Sequence, residues 1–426
     1  VRPARYLRQF HCPTILSNPP IDLCRKDSRL APTIRGDVFL TRSLKGPRFV
    51  LIFCAVLAIF VYGMIAAMLG TILPDLSDRF RLTPAQNGAI AFSQALGLMI
   101  ASLAVGPLLD SEGDKIGLIL GLACIALALF LLPRAGSFGG IVTLLFLLGV
   151  GGGIVVTGAN ALVSGVSEIH RASALNLVNL FFGLGGLLTP FISANLFQRK
   201  WSRLCYSVAV LTVVTLAVQC FTQMPAPAAA SGFVLSQVGP ILGRPLLLML
   251  GFFLFLYVSC EVGVWNWLPR HLIARGIPEA RALNILSLGF ALGLLIGRVG
   301  VSPILIHVPA IEVTLAASIA MAVTTFLMLR TDKPTVAAAL VFVAGLSMAP
   351  VFPTVLAITG TAFPQMTGTA IGFVITCGWA GLAVSSRLIG AIAGGDPLRL
   401  KKALLLIPAF AVMMVILNLG IWSTMK

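Results

Sequence analysis

The sequence predicts an all-α polytopic membrane protein, with twelve transmembrane helices arranged as two pseudo-symmetric six-helix bundles. Three observations lead there. Of 426 residues, 58% are hydrophobic and only 10% charged, too little charge to cover a soluble surface of this size. Apolar runs of roughly 20 residues recur along the chain, the length that crosses a hydrocarbon core about 30 Å thick. Several of these runs also repeat, in order, between the first and second halves.

Residues 1–48 come first, with ten Lys/Arg, three Asp and no apolar run long enough for a signal peptide. They read as a basic, disordered tail. Charged residues and Pro/Gly punctuation then divide the chain into runs near 49–73, 87–109, 116–133, 139–165, 175–197, 204–221, 245–268, 283–304, 313–329, 335–359, 369–392 and 403–422. Six form an N-terminal bundle over 49–221 and six a C-terminal bundle over 244–426. Between them "TQMPAPAAASGFVLSQVGPILG", residues 222–243, has the composition of a linker. The first run, "FVLIFCAVLAIFVYGMIAAMLGTIL", holds no acid, and neither does the fourth. "GVGGGIVVTGAN" in the fourth and "FGLGGLLTP" in the fifth would let neighbouring backbones approach closely.

The halves share one offset. Leu73-Pro74 recurs as Leu268-Pro269, 195 residues on, and "ALGLMI" at 95–100 recurs as "ALGLLI" at 291–296. Ser164-Gly165 recurs as Thr359-Gly360, and Gly183, Gly186 and Leu187 recur as Gly378, Gly381 and Leu382. Agreement within one residue across four helices indicates a tandem duplication. Two six-helix halves around a central cavity are a recurring architecture of secondary transporters.

Between the second and third runs lies "GPLLDSEGDKIG", residues 106–117. It resembles the loop signature of the major facilitator superfamily, with Gly106, Asp110, Gly113 and Lys115 in the signature's places. In that family the Asp acts as a conformational latch, capping a neighbouring helix and pairing with a cation in one transport state. A carboxylate at a helix N-terminus gains from the macrodipole. Ser111, Glu112 and Asp114 stand where basic residues are usual. The corresponding place in the second half, "GRVGVSP", has Arg298 as its only charge, a further latch candidate. "YVSCEVGVWNWLPRHL" (257–272), "LSLGFALGLLIGR" (286–298) and "GLSMAPVFPTVLA" (345–357) are similar to the fucose:proton and glucose/galactose symporter branch. The resemblance implies a monomeric carrier in a bacterial inner membrane, both termini cytoplasmic, with its site near mid-membrane. Charge bias does not support that orientation. Fourteen Lys/Arg fall in loops it places outside and five inside, apart from ten in the tail.

Glu261 is the one acid near the middle of a run. A buried carboxylate is costly, so it is normally paired, protonated or facing a wet cavity. Tyr257 and Trp265 lie four residues to either side, on the same helix face, and an acid between two rings suits a hydroxylated solute such as a sugar. Arg387, in the eleventh run, is the cation read as deepest in a run, at a height within roughly 5 Å of Glu261 at the helical rise. The two are expected to pair in one state and part when substrate or H⁺ binds. An ordinary buried ion pair would account for the same residues. Asn160, Asn179 and Gln94 are polar candidates from the first half, and Trp379 from the second. Interhelical hydrogen bonding is the alternative for the asparagines. Symporters of the fucose type carry acids in their first and fourth spans. Here proton coupling falls on Glu261 or is absent.

The expected function is secondary transport of a small hydroxylated solute, with export of drugs or amphipathic metabolites as the alternative. The net charge of +16 is scattered, so no nucleic-acid partner is expected. No metal or cofactor is expected either: the eight Cys show no ligand spacing and the four His are read in loops or the tail. No nucleophile–base pair points to an enzyme, and no Walker motif to an ATP-driven pump.

Overall fold

The computed structural model describes residues 47–197, 200–225, 236, 238–331, 333–394 and 396–425. Nearly all of the predicted tail and residues 226–235 of the predicted linker lie outside these. Among the described residues, twelve helices are long and apolar enough to span a membrane. We number them α1 (Arg48–Phe80), α2 (Ala85–Glu112), α3 (Asp114–Arg134), α4 (Phe138–Val166), α5 (Arg171–Asn195) and α6 (Trp201–Phe221). The second set is α7 (Pro245–Ala274), α8 (Arg281–His307), α9 (Ala310–Arg330), α10 (Pro334–Ala362), α11 (Thr367–Ala393) and α12 (Arg399–Met425).

Most helices outrun their apolar segments. Predicted to end at residue 73, α1 continues through Pro74 and the polar "DLSDRF" to Phe80, because backbone hydrogen bonding does not stop where hydropathy does. His271, read as a loop residue, is buried within α7 for the same reason. Starts are set by chemistry. Thr83 opens α2 with a capping box closed by Gln86, and the Ser137 hydroxyl accepts from the Gly140 amide to open α4. Two helices are irregular: α8 contains a π-helical segment, Ile285–Ala291, and α10 is interrupted at Ala349-Pro350.

The duplication is visible as paired close contacts. Gly97 on α2 faces the Phe146 carbonyl on α4, and 196 residues later Gly293 on α8 faces the Phe342 carbonyl on α10. Gly149 meets the Gln94 carbonyl as Gly345 meets that of Phe290. Gly185 on α5 meets the Phe60 carbonyl of α1, and Gly381 on α11 that of Phe255 on α7. A side chain at any of these positions would force the helices apart.

The halves meet chiefly through α2 against α11 and α5 against α8 and α10. Every hydrogen bond that crosses between them, among the described residues, lies near or beyond mid-span toward the end where α2 finishes and α11 begins. The central helices α1 and α7 pack against their own halves. The midline is therefore closed at that end and parts toward the other.

Candidate functional site

Two ties hold the closed end. The first is the loop motif. Asp110, 8% exposed, accepts hydrogen bonds from the Gly368 amide at 2.7 Å, the Thr369 amide at 2.8 Å and the Thr369 hydroxyl at 2.6 Å. These amides begin α11 and have no acceptor within their own helix, so the carboxylate caps it across the halves. Gly106 lets the backbones come together: a Cβ there would lie 2.6 Å from the Thr369 Cα. Gly113, at φ +91°, turns the chain from α2 into α3. Lys115 does not join Asp110. Its ammonium donates to the Cys220 and Thr222 carbonyls, both at 2.9 Å, and caps the end of α6.

The second tie has no motif behind it. Arg171 donates from Nε to the Ser164 carbonyl at 2.6 Å and from Nη1 to the Thr361 hydroxyl at 2.7 Å, joining α5 to α10. Beside it Gly360 leaves just enough room for the Ser164 side chain.

Above these ties lies a polar floor. Asn179 donates to the Asn160 side-chain oxygen at 2.7 Å, and Asn160 donates to the Val156 carbonyl at 2.7 Å. Both are buried, so in this conformation the pair satisfies itself and offers a solute little. Asn176 reaches Thr354 across the halves at 3.0 Å. Arg298 corrects a sequence expectation. Read as a loop latch, it is 5% exposed inside α8, nine residues from the helix end, and donates to the Asn179 backbone carbonyl of the other half. The predicted run 283–304 contains it; correspondence with the loop motif at residues 106–113, not hydropathy, is what assigned it to a loop.

Glu261 stands half-buried on α7 among buried Tyr257, Val258, Cys260 and Val264. One turn before it, the Tyr257 hydroxyl donates to the Met348 carbonyl on α10 at 3.0 Å. Trp265, one turn further, meets Phe290 of the π-helical segment edge-on, centroids 5.3 Å apart. Such π-segments occur often at functional sites. The expected pair with Arg387 is not formed: no cation lies within 4.0 Å of Glu261 among the described residues. Arg387 is exposed on α11. Arg298 approaches from α8, where its neighbour Gly297 packs on Ala349, beside the Met348 carbonyl that Tyr257 bonds. Similar height on neighbouring helices suggested Arg387; helix rotation chose otherwise.

Gln94 and Trp379 are the remaining candidates. The Gln94 amide has no partner among the described residues, and the Trp379 indole N–H is buried without one. Both can serve a solute. Sequence reading missed Arg171, Thr361 and Thr369, which carry no signal until α5, α10 and α11 are placed together. It also missed Tyr62, which the 195-residue offset pairs with Tyr257.

Comparison with known proteins bears on this arrangement. The family model of the Major Facilitator Superfamily matches residues 55–386. The chain is 23% identical over 339 residues to Protein TsgA homolog of Erwinia tasmaniensis, covering 78% of this chain and 84% of that one. It is 25% identical over 361 residues to the glucose/mannose transporter GlcP of Bacillus subtilis, covering 81% and 88%. Among solved structures, the transporter FucP in the outward conformation superposes with a TM-score of 0.77 at 18% identity, covering 88% of this chain and 99% of FucP.

Proposed function

The chain belongs to the Major Facilitator Superfamily and is a multi-pass secondary transporter, not an enzyme; from that premise we propose that it moves a small hydroxylated solute of the sugar class, with a proton taken at Glu261. The observation that supports this is Glu261 itself, a mid-span acid with no cation within 4.0 Å and aromatic neighbours at i−4 and i+4. Carboxylates accept hydroxyl hydrogen bonds, and ring faces pack against the C–H surfaces of a pyranose. From the first half, Gln94, a buried amide with no partner among the described residues, is the polar group that would serve the same solute. The Asp110 and Arg171 ties keep one end shut while solute enters from the other, and breaking them lets the halves rock.

FucP is described as a fucose:proton symporter and GlcP as a glucose/mannose transporter, which fits this cargo class. The relatives named are bacterial, in keeping with an inner-membrane site of action. Uptake of a panel of labelled sugars and sugar derivatives into proteoliposomes, with and without a pH gradient, tests the reading. Gradient-stimulated uptake of at least one compound, lost in Glu261→Gln, is the expected result. Raised drug tolerance of expressing cells without uptake of any panel member would replace it with the exporter reading.

A further inference from the structure

Arg298 sits in the membrane without an acid against it. Its guanidinium donates to a neutral backbone carbonyl, its Nε–H is buried with no partner, and no carboxylate lies within 4.0 Å among the described residues. A carbonyl supplies a hydrogen bond but no opposite charge, and an uncompensated buried ion costs several kcal/mol. Arg387, exposed on α11, is a second cation within a span and has no acid within 4.0 Å among the described residues. Against these two stands Glu261 alone. The charge at the open end has the same sign: its described helix ends and loops hold thirteen Lys/Arg and four Asp/Glu. A rim of one sign raises the local concentration of counter-ions.

We infer that the cargo carries a carboxylate, as a sugar acid does, that this group docks on Arg298, and that it travels with one proton on Glu261. The inference rests on the proposed function and narrows its solute class. The Tyr257 hydroxyl reaches the Met348 carbonyl, and Gly297, next to Arg298, packs on Ala349 of the same turn of α10, so an anion on Arg298 arrives near the helix face that carries Glu261. Two negative groups there repel each other, and a proton on Glu261 relieves them. The other titratable group beside this acid is Cys260 on its own helix, while Arg387 on α11 is exposed. The apolar lengths of α10 and α12 contribute no charged side chain. One anion and one proton together move no net charge. Docking also draws Arg298 from the Asn179 carbonyl, removing a hydrogen bond that crosses the halves and loosening the closed end.

Purified full-length protein in proteoliposomes, with labelled D-gluconate and D-glucose as probes, tests this. A pH gradient and a valinomycin-set potassium potential are applied separately. Gluconate is expected to enter with at least tenfold higher kcat/KM than glucose, driven by the pH gradient and indifferent to the potential. That preference is expected to fall tenfold or more in Arg298→Gln and to be partly kept in Arg298→Lys. Glucose uptake accelerated by an inside-negative potential, with gluconate ignored, overturns the inference and leaves the proposed function intact. Movement of neither probe nor any other hydroxylated solute overturns both. The electrical measurement needs only the unmutated chain, so a variant that fails to fold does not remove the test.

Discussion

On α1 the side chains of Tyr62, Ala66 and Gly70 follow one another a turn apart; on α7 their counterparts are Tyr257, Glu261 and Trp265, 195 residues on. Both tyrosines are buried, and Tyr62 stacks on Phe182 of α5 at 5.2 Å. Beyond them the halves diverge. Ala66 is exposed and Gly70 has nothing within 4 Å of where a Cβ would be, whereas Glu261 and Trp265 furnish an acid and a ring. Meanwhile the glycine–carbonyl contacts that set helix spacing are the same in both. Packing and cargo contact use different faces of each helix, so a duplicated frame can keep one and vary the other. On the proposed reading, the second half supplies the chemical wall and the first a largely uncharged one.

The largest test of that asymmetry is at the acid. Glu261→Gln should lower pH-gradient-driven uptake at least tenfold while solute exchange persists, and Ala66→Ser should change uptake less than twofold. Equal losses at the two positions would end the distinction. The latch is also one-sided. Asp110→Asn weakens charge-assisted hydrogen bonds of about 1.5–3 kcal/mol, so the closed end should open about tenfold more often. Alkylation of a Ser102→Cys reporter, buried where α2 meets α11, would show it. Ile306→Ala, at the offset position in α8, should leave that rate unchanged. The packing contacts predict a match instead. Gly97→Ala and Gly293→Ala should each cost about 1–3 kcal/mol of stability through overpacking. Thermal unfolding that penalised only one would break the pseudo-symmetry. Smallest is Trp265→Leu, which removes an edge-to-face contact of about 0.5–1.5 kcal/mol and should raise KM a few-fold.

The candidate site was legible in part. Glu261 stood out because a carboxylate among apolar residues has no local explanation, and the Asp110 motif because its glycines and charges keep fixed spacing. Asn160 and Asn179 were legible as polar positions, yet only their 2.7 Å hydrogen bond showed that each answers the other. Arg298 was misplaced because it was assigned by correspondence with the loop motif of the first half, whereas in the second half the helix runs nine residues past it. The Arg171 tie had no signal at all, since its partner lies 190 residues away.

Sequence alone determined the class of solvent, the number of spans, the twofold repeat and the one acid that needed an explanation. These follow from composition and period, which each segment bears by itself. Which charge stands near that acid, which polar groups are already satisfied and which end of the midline is shut were decided only by the packed fold. Those depend on the rotation and tilt of one helix against another, set by side-chain fit across the whole bundle, and no single segment encodes them.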